Sequence, residues 1–261
     1  MFPSEFHIGF FPISAYGLLV TAGFFSGLIT TSILAKRYEK QESRLIWDFT
    51  VTMILVALVG AKLLLIVTDS TYLSNPANIF TIEYLRSAGV FYGGFVFAAL
   101  YSIWYFRKYK LPGWKIADAY GPGLALGHMF GRIGCFMAGC CHGAPTDSPL
   151  GVTFSDIQCQ VPNEFLNRPL WPTQAMEAVF NLLLFGFLLL RYRRKAFDGQ
   201  IVLTYALAYS LFRFLIEFLR GDERGFILVH ISTSQFIAIL IFPVALVLYL
   251  LRRKAAPTTK Q

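Results

Sequence analysis

The chain has 261 residues, of which 56% are hydrophobic and 15% charged, with a formal net charge of +8. A soluble domain carries roughly 25% charged residues, so the composition argues against a soluble enzyme. The basic residues fall in short clusters between long apolar runs rather than along one face, which argues against nucleic acid as a partner.

A membrane-crossing helix needs about 20 mostly apolar residues, and residues 6–35, 87–106 and 225–251 contain no Asp, Glu, Lys or Arg. Four further apolar stretches, 45–67, 116–138, 174–190 and 200–219, are interrupted by one or a few ionisable residues. The expectation is an all-α integral membrane protein with seven transmembrane helices in a single polytopic domain over residues 1–261. No basic segment precedes the first run and no small-residue cleavage site ends it, so that span is expected to be retained.

Span two contains Lys62, which reads either as a partner for lipid phosphate or an acidic group, or as helix glue. Span three opens on Phe91-Tyr92-Gly93-Gly94. Glycines beside a tyrosine hydroxyl could expose a helix N-terminus to an anion; equally, tyrosines sit in interfacial belts and paired glycines occur where helices cross. Span four ends in Gly131-Arg132-Ile133-Gly134-Cys135, followed by Phe136-Met137-Ala138-Gly139 and Cys140-Cys141-His142-Gly143. A guanidinium among glycines reads as a phosphate holder, because its rigid fork binds oxyanions bidentately and stays charged in apolar surroundings. The competing reading is close helix packing with Arg132 reaching to the interface.

Residues 139–173 carry five prolines among scattered polar residues and are expected to form an external arm, too short for a core of its own. In span six Tyr209, Arg213 and Glu217 recur every four residues with Arg220 three further on, which places them along one helix face. Ionisable residues inside spans are costly and mark a cavity by default, although an Arg213–Glu217 pair could also simply join helices. Of the remaining histidines, His128 is expected to hydrogen-bond between helices, and His7 and His230 to be structural.

Lys and Arg set the orientation, since cytoplasmic loops keep positive charge. Of the 23, 16 follow spans one, three, five and seven, whereas the opposite loops hold only Arg86, Arg168, Arg220 and Arg224. The N-terminus is therefore expected outside and the C-terminus, with tail 254–261, in the cytoplasm.

The cysteines suggest a separate chemistry. Cys135, Cys140, Cys141 and His142 lie close together and Cys159 is in the arm. Outside the cytoplasm, a disulfide from Cys159 to Cys140 or Cys141 is one expectation, and a reactive thiol steadied by Arg132 is another. Zinc is disfavoured by the linear spacing.

Taken in order, these residues resemble the prolipoprotein diacylglyceryl transferase family of bacterial inner-membrane enzymes. The resemblance is carried by Tyr16-Gly17, by Gly60-Ala61-Lys62-Leu63 where the family usually has arginine, and by Phe91-Tyr92-Gly93-Gly94 where it has phenylalanine-histidine-glycine-glycine. It continues through Ala117-Asp118, Gly131-Arg132-Ile133-Gly134, Trp171-Pro172-Thr173-Gln174-Ala175-Met176-Glu177, the stretch Arg213 to Arg220, and Ser232, Ser234 and Gln235. The departures are concentrated: Cys135, Ala138 and Cys140 stand where the family signature has two asparagines and a glutamate, and Tyr92 stands for histidine. The resemblance implies transfer of a diacylglyceryl group from phosphatidylglycerol to the lipobox cysteine thiol of a lipoprotein precursor peptide, releasing glycerol phosphate. The partners are then those two substrates and membrane lipid; no cofactor and no metal is expected.

Arg132 and Arg213 would neutralise the departing phosphate. Tyr92, Glu217 and His142 are the candidate bases, with Cys140 beside them. Tyr16, Lys62, Gly93, Gly94, Cys135, Gly143, Tyr209 and Arg220 would line the substrate site. Two alternatives stay open: a paralogue with the same donor site but another acceptor, and a redox or metal protein built on the cysteines.

Overall fold

The computed structural model describes residues 5–8, 11–81, 84, 87, 89–157, 159–222, 226–228 and 231–256. Arg86, Arg224, His230 and tail residues 257–261 lie outside the described residues, as does the side chain of His7.

Long helices follow the apolar runs: α1 (Ala15–Tyr38), α2 (Ser43–Thr68), the short α3 (Ser70–Ser74), α4 (Phe91–Lys108), α5 (Gly113–Ala138), α6 (Thr173–Tyr192), α7 (Gln200–Ile216) and α8 (Thr233–Ala255). Five segments, namely α1, α2, α6, α8 and α7 extended to Leu219, are long and apolar enough to cross a membrane. The protein is thus a mostly helical, multi-pass membrane protein. α4 and α5 are the remaining long helices; α5 dilutes its apolar content with Lys115, Asp118, His128, Arg132 and several glycines.

The apolar pattern predicts no strands, and three short antiparallel ladders occur: β1 (Glu5–Ile8) with β2 (Phe11–Ser14), β3 (Val152–Thr153) with β4 (Pro169–Leu170), and β5 (Phe226–Leu228) with β6 (Ile231–Ser232). They satisfy backbone groups where the chain leaves its helices. The arm 139–173 packs on the helices through a few apolar side chains. Phe154, Val161 and Leu170 are buried in a small cluster with Phe165 and Leu166, and the cluster gains its footing from Phe136 of α5.

The chain divides into two compact units, one of residues 1–40 and 114–261 and the other of 41–113. In the smaller unit α2 and α4 cross at glycines. A Cβ on Gly60 would lie 2.6 Å from the Gly93 carbonyl oxygen, and one on Gly94 would lie 3.0 Å from that of Ala57. This close approach is the small-residue packing common between membrane helices. Lys62 donates to the carbonyls of Tyr84 and Ser87, the latter at 2.7 Å, and to Ser87 Oγ at 2.9 Å, bracing the connection to α4.

In the larger unit α1 and α5 also cross on glycines, Gly27 against Gly123 and Gly23 against Gly127. One end of this unit is fixed by Asp118, fully buried, which accepts from the backbone N–H groups of Gly199, Ile201 and Val202 at 2.8–3.1 Å and so caps α7 from another helix. Lys195 completes the knot, bonding Asp118 at 3.0 Å and Glu39 at 2.7 Å. Burial opposes its charge, but these carboxylates outweigh it and raise the Lys195 pKa above its ordinary value.

Candidate functional site

At the other end of the larger unit, α5, α6 and α7 bring three guanidiniums to one carboxylate. Glu177 of α6 is fully buried, and a buried charge must be paired. Its oxygens lie 3.0 Å from Arg132 of α5, 3.3 Å from Arg220 and 3.9 Å from Arg213 of α7. Glu217 pairs with Arg213 at 2.6 Å on the expected i, i+4 spacing, and Arg213 also donates to Ser234 of α8 at 2.8 Å. Arg220 is gripped by Asp222 through two bonds of 2.8 and 2.9 Å. Beyond Ile216 the helix tightens into a 3₁₀ turn, Glu217–Leu219, and this carries Arg220 back towards Glu177.

The three arginines differ in what they leave open. Side-chain exposure is 18% for Arg132, 9% for Arg213 and 3% for Arg220. Arg132 alone among them keeps a substantial accessible edge, while the other two are consumed by carboxylates. Along the same helix, Met129, Ile133 and Phe136 face Ala175, Ala178, Val179 and Leu182 of α6 across a wholly apolar cavity of about 240 Å³.

Other predicted residues gather around this centre. Tyr16, 43% exposed, packs where a Cβ on Gly134 would come within 3.1 Å of its ring. Gly143 bridges to Arg220 and donates to the Trp171 carbonyl at 2.9 Å, and a Cβ there would meet backbone on both sides. His142 is buried, with Nδ1 3.0 Å from the Gly143 carbonyl. His128 takes the expected interhelical role, 2.7 Å from the Tyr205 hydroxyl, with the Tyr209 ring 4.9 Å away. Ser232 and Gln235 form a capping box at the start of α8, which aims Ser234 at Arg213.

Lys62, Tyr92, Gly93 and Gly94 belong to the smaller unit. There Gly93 and Gly94 donate their N–H groups to the Val90 carbonyl at 3.0 and 3.4 Å and serve the crossing with α2. Tyr92 is 42% exposed.

The sulfurs of Cys135, Cys140 and Cys141 all lie within 4.8 Å of one another. None of the four cysteines, all of them described, is joined in a disulfide. Hydrogen bonding with Cys135 and Cys141, together with burial, pushes the Cys140 thiol above its ordinary pKa.

Glu177, the hub, is the residue that sequence reasoning misses as a site. Its signal is a charge imbalance: two arginines within the spans, Arg132 and Arg213, with Glu217 their only assigned acid, require a second carboxylate at similar depth.

The comparisons with known proteins agree with the sequence motifs. A family model described as prolipoprotein diacylglyceryl transferase matches residues 3–251. A phosphatidylglycerol–prolipoprotein diacylglyceryl transferase of Clostridium tetani is 35% identical over 244 residues, covering 92% of this chain and 93% of that protein. A second, from Clostridium perfringens, is 34% identical over 244 residues, covering 91% and 90%. One from Acaryochloris marina is 31% identical over 269 residues, covering 99% and 94%.

Proposed function

The chain belongs to the prolipoprotein diacylglyceryl transferase family, and from that premise we propose that it transfers the diacylglyceryl group of phosphatidylglycerol to a lipobox cysteine thiol, releasing glycerol phosphate. The observation that carries the reading is Arg132, the most open of three guanidiniums anchored on one buried carboxylate. In the reaction a thiolate attacks a glycerol carbon while the phosphate ester departs, so the site must hold an oxyanion that gains charge. Arg132 binds that phosphate. Glu177 fixes the guanidinium in place, and because its charge is shared with Arg213 and Arg220 the accessible edge of Arg132 is left to serve an exogenous anion. Charge fixed in place before the reaction commonly does more to lower the barrier than any other single effect. The apolar cavity beside α5 accepts part of an acyl chain.

The seven long helices each cross a bacterial inner membrane, with the N-terminus outside, arm 139–173 on the outer side and the tail in the cytoplasm. This orientation rests on the alternation of basic loops and puts Arg132 towards the outer leaflet. The test is release of labelled glycerol phosphate from phosphatidylglycerol by the purified protein with a lipobox peptide. Release that depends on Arg132 is expected; turnover in Arg132→Ala equal to the native protein would remove the phosphate-holding role.

A further inference from the structure

The donor-holding role assigned to Arg132 does not account for the three-cysteine cluster of Cys135, Cys140 and Cys141. Linear spacing argues against a metal there, but the fold supplies what the spacing lacks. α5 ends at Ala138, Gly139 turns at φ +76° and Cys141 adopts φ +62°, a conformation disfavoured for a residue with a side chain. The turn folds Cys140 and Cys141 back beside Cys135, all three sulfurs within 4.8 Å of one another. Two fully buried side chains of α6 hold it: Gln174 donates to the Cys140 carbonyl at 2.8 Å and Thr173 to that of Cys141 at 2.9 Å. Zinc bound to thiolates at about 2.3 Å places sulfurs about 3.8 Å apart, so closing the cluster needs movements of about 1 Å.

Charge and access fit as well. Arg220 lies within electrostatic reach of Cys141, and Arg132 within that of Cys135 and Cys141. Three thiolates around a divalent cation leave one negative charge, which these guanidiniums complement. A cavity of about 450 Å³ lined by Cys140, Cys141, His142, Glu164 and Asp222 leads to the cluster. Three protein ligands and one open position is the ligand count of a catalytic rather than a structural zinc site, and soft thiolates select such a cation over magnesium or calcium.

We infer that Cys135, Cys140 and Cys141 form a three-thiolate site for a zinc ion whose open fourth position takes the acceptor thiol as a thiolate. The second part rests on the transferase reading. Binding the cation releases the three protein thiol protons to water. The acceptor sulfur then forms a bond to zinc and gives its proton to water, since a coordinating thiol is deprotonated outright. Its lone pair next forms the sulfur–carbon bond as the carbon–oxygen bond breaks and that electron pair leaves on the phosphate; zinc stays divalent throughout. This places nucleophile activation at the cysteines, with no need for a strong base at Tyr92.

The test uses the whole protein in detergent with a phosphine reductant, supplied with zinc alone or cobalt alone. One equivalent of zinc per chain is expected by elemental analysis, with at least a tenfold loss of affinity in each of Cys135→Ser, Cys140→Ser and Cys141→Ser and none in Cys159→Ser. Cobalt in the native protein should show thiolate charge-transfer absorption, a readout that does not depend on any variant folding. That spectrum should change on adding a lipobox peptide, and not with its cysteine-to-serine version. Absence of stoichiometric metal, or binding that survives all three serine variants, overturns the site. Metal binding with a spectrum indifferent to the peptide overturns the acceptor role. A peptide-responsive spectrum without thioether product supports the zinc site while the transferase reading fails.

Discussion

Replacing Glu177 with glutamine should destabilise the protein far more than a change of one atom suggests. The carboxylate is fully buried and lies 3.0, 3.3 and 3.9 Å from three guanidiniums. With an effective dielectric constant of roughly 20, these contacts represent about 5.5, 5.0 and 4.3 kcal/mol of gross attraction. Desolvation offsets most of that, but removing one side of a buried network leaves the arginines uncompensated, and such losses run to about 3–5 kcal/mol. For a chain of this size that corresponds to a fall in Tm on the order of 10 °C. Thermal unfolding in detergent should register it, and a double-mutant cycle isolates the cause. Glu177→Gln combined with Arg132→Gln should cost at least about 1 kcal/mol less than the sum of the singles, because the second change removes a charge the first left unpaired. A single cost below about 1 kcal/mol, or strictly additive costs, would refute the claim that Glu177 organises the arginines.

Arg132→Ala should lower transfer by about 10²–10³-fold, the effect of deleting one preorganised group facing developing negative charge, while the protein stays folded; a turnover assay beside an unfolding curve checks both. Arg213→Ala should abolish transfer, with a drop in Tm as well, since it removes the 2.6 Å partner of Glu217 and the donor to Ser234. Tyr92→Phe should leave most of the transfer rate intact, because the acceptor thiol is activated at the cysteine turn; a loss as large as that of Arg132→Ala in parallel rate measurements would return proton handling to Tyr92. Lys195→Met should cost about 3 kcal/mol by stripping the buried partner from Asp118 and Glu39. Because the Lys195 pKa is raised above 10.5, that contribution is complete at neutral pH and is lost only as pH climbs through the folded value. The gap in stability between native and variant should therefore stay constant through mildly alkaline conditions and close above them; a gap that closes on acidification instead would contradict the assignment.

Much of this architecture is legible in the sequence because the bilayer imposes a simple pattern: apolar runs of fixed length become helices, and Arg213 and Glu217 pair at their i, i+4 spacing. Interhelical glycines are also readable, although sequence does not decide whether Gly93 and Gly94 serve an anion or a crossing; their N–H groups turn inward to Val90. What sequence does not supply are long-range partners. Glu177 meets Arg132 from 45 positions away and Asp118 caps a helix more than 80 positions on, and neither separation has any periodicity to betray it. The grouping of the cysteines is legible, but the turn that closes them is not, for a local reason. Nothing in the spacing announces that Gly139 and Cys141 adopt positive φ, a property of the folded turn that brings the three sulfurs together.

The most direct test of the central claim is mass spectrometry of a lipobox peptide after incubation with the purified protein and phosphatidylglycerol of defined acyl chains. A diacylglyceryl thioether on the peptide cysteine is expected, formed about 10²–10³-fold more slowly with Arg132→Ala and absent when the peptide cysteine is serine. An unmodified peptide, from a protein shown to be folded and to bind the lipid, would contradict it.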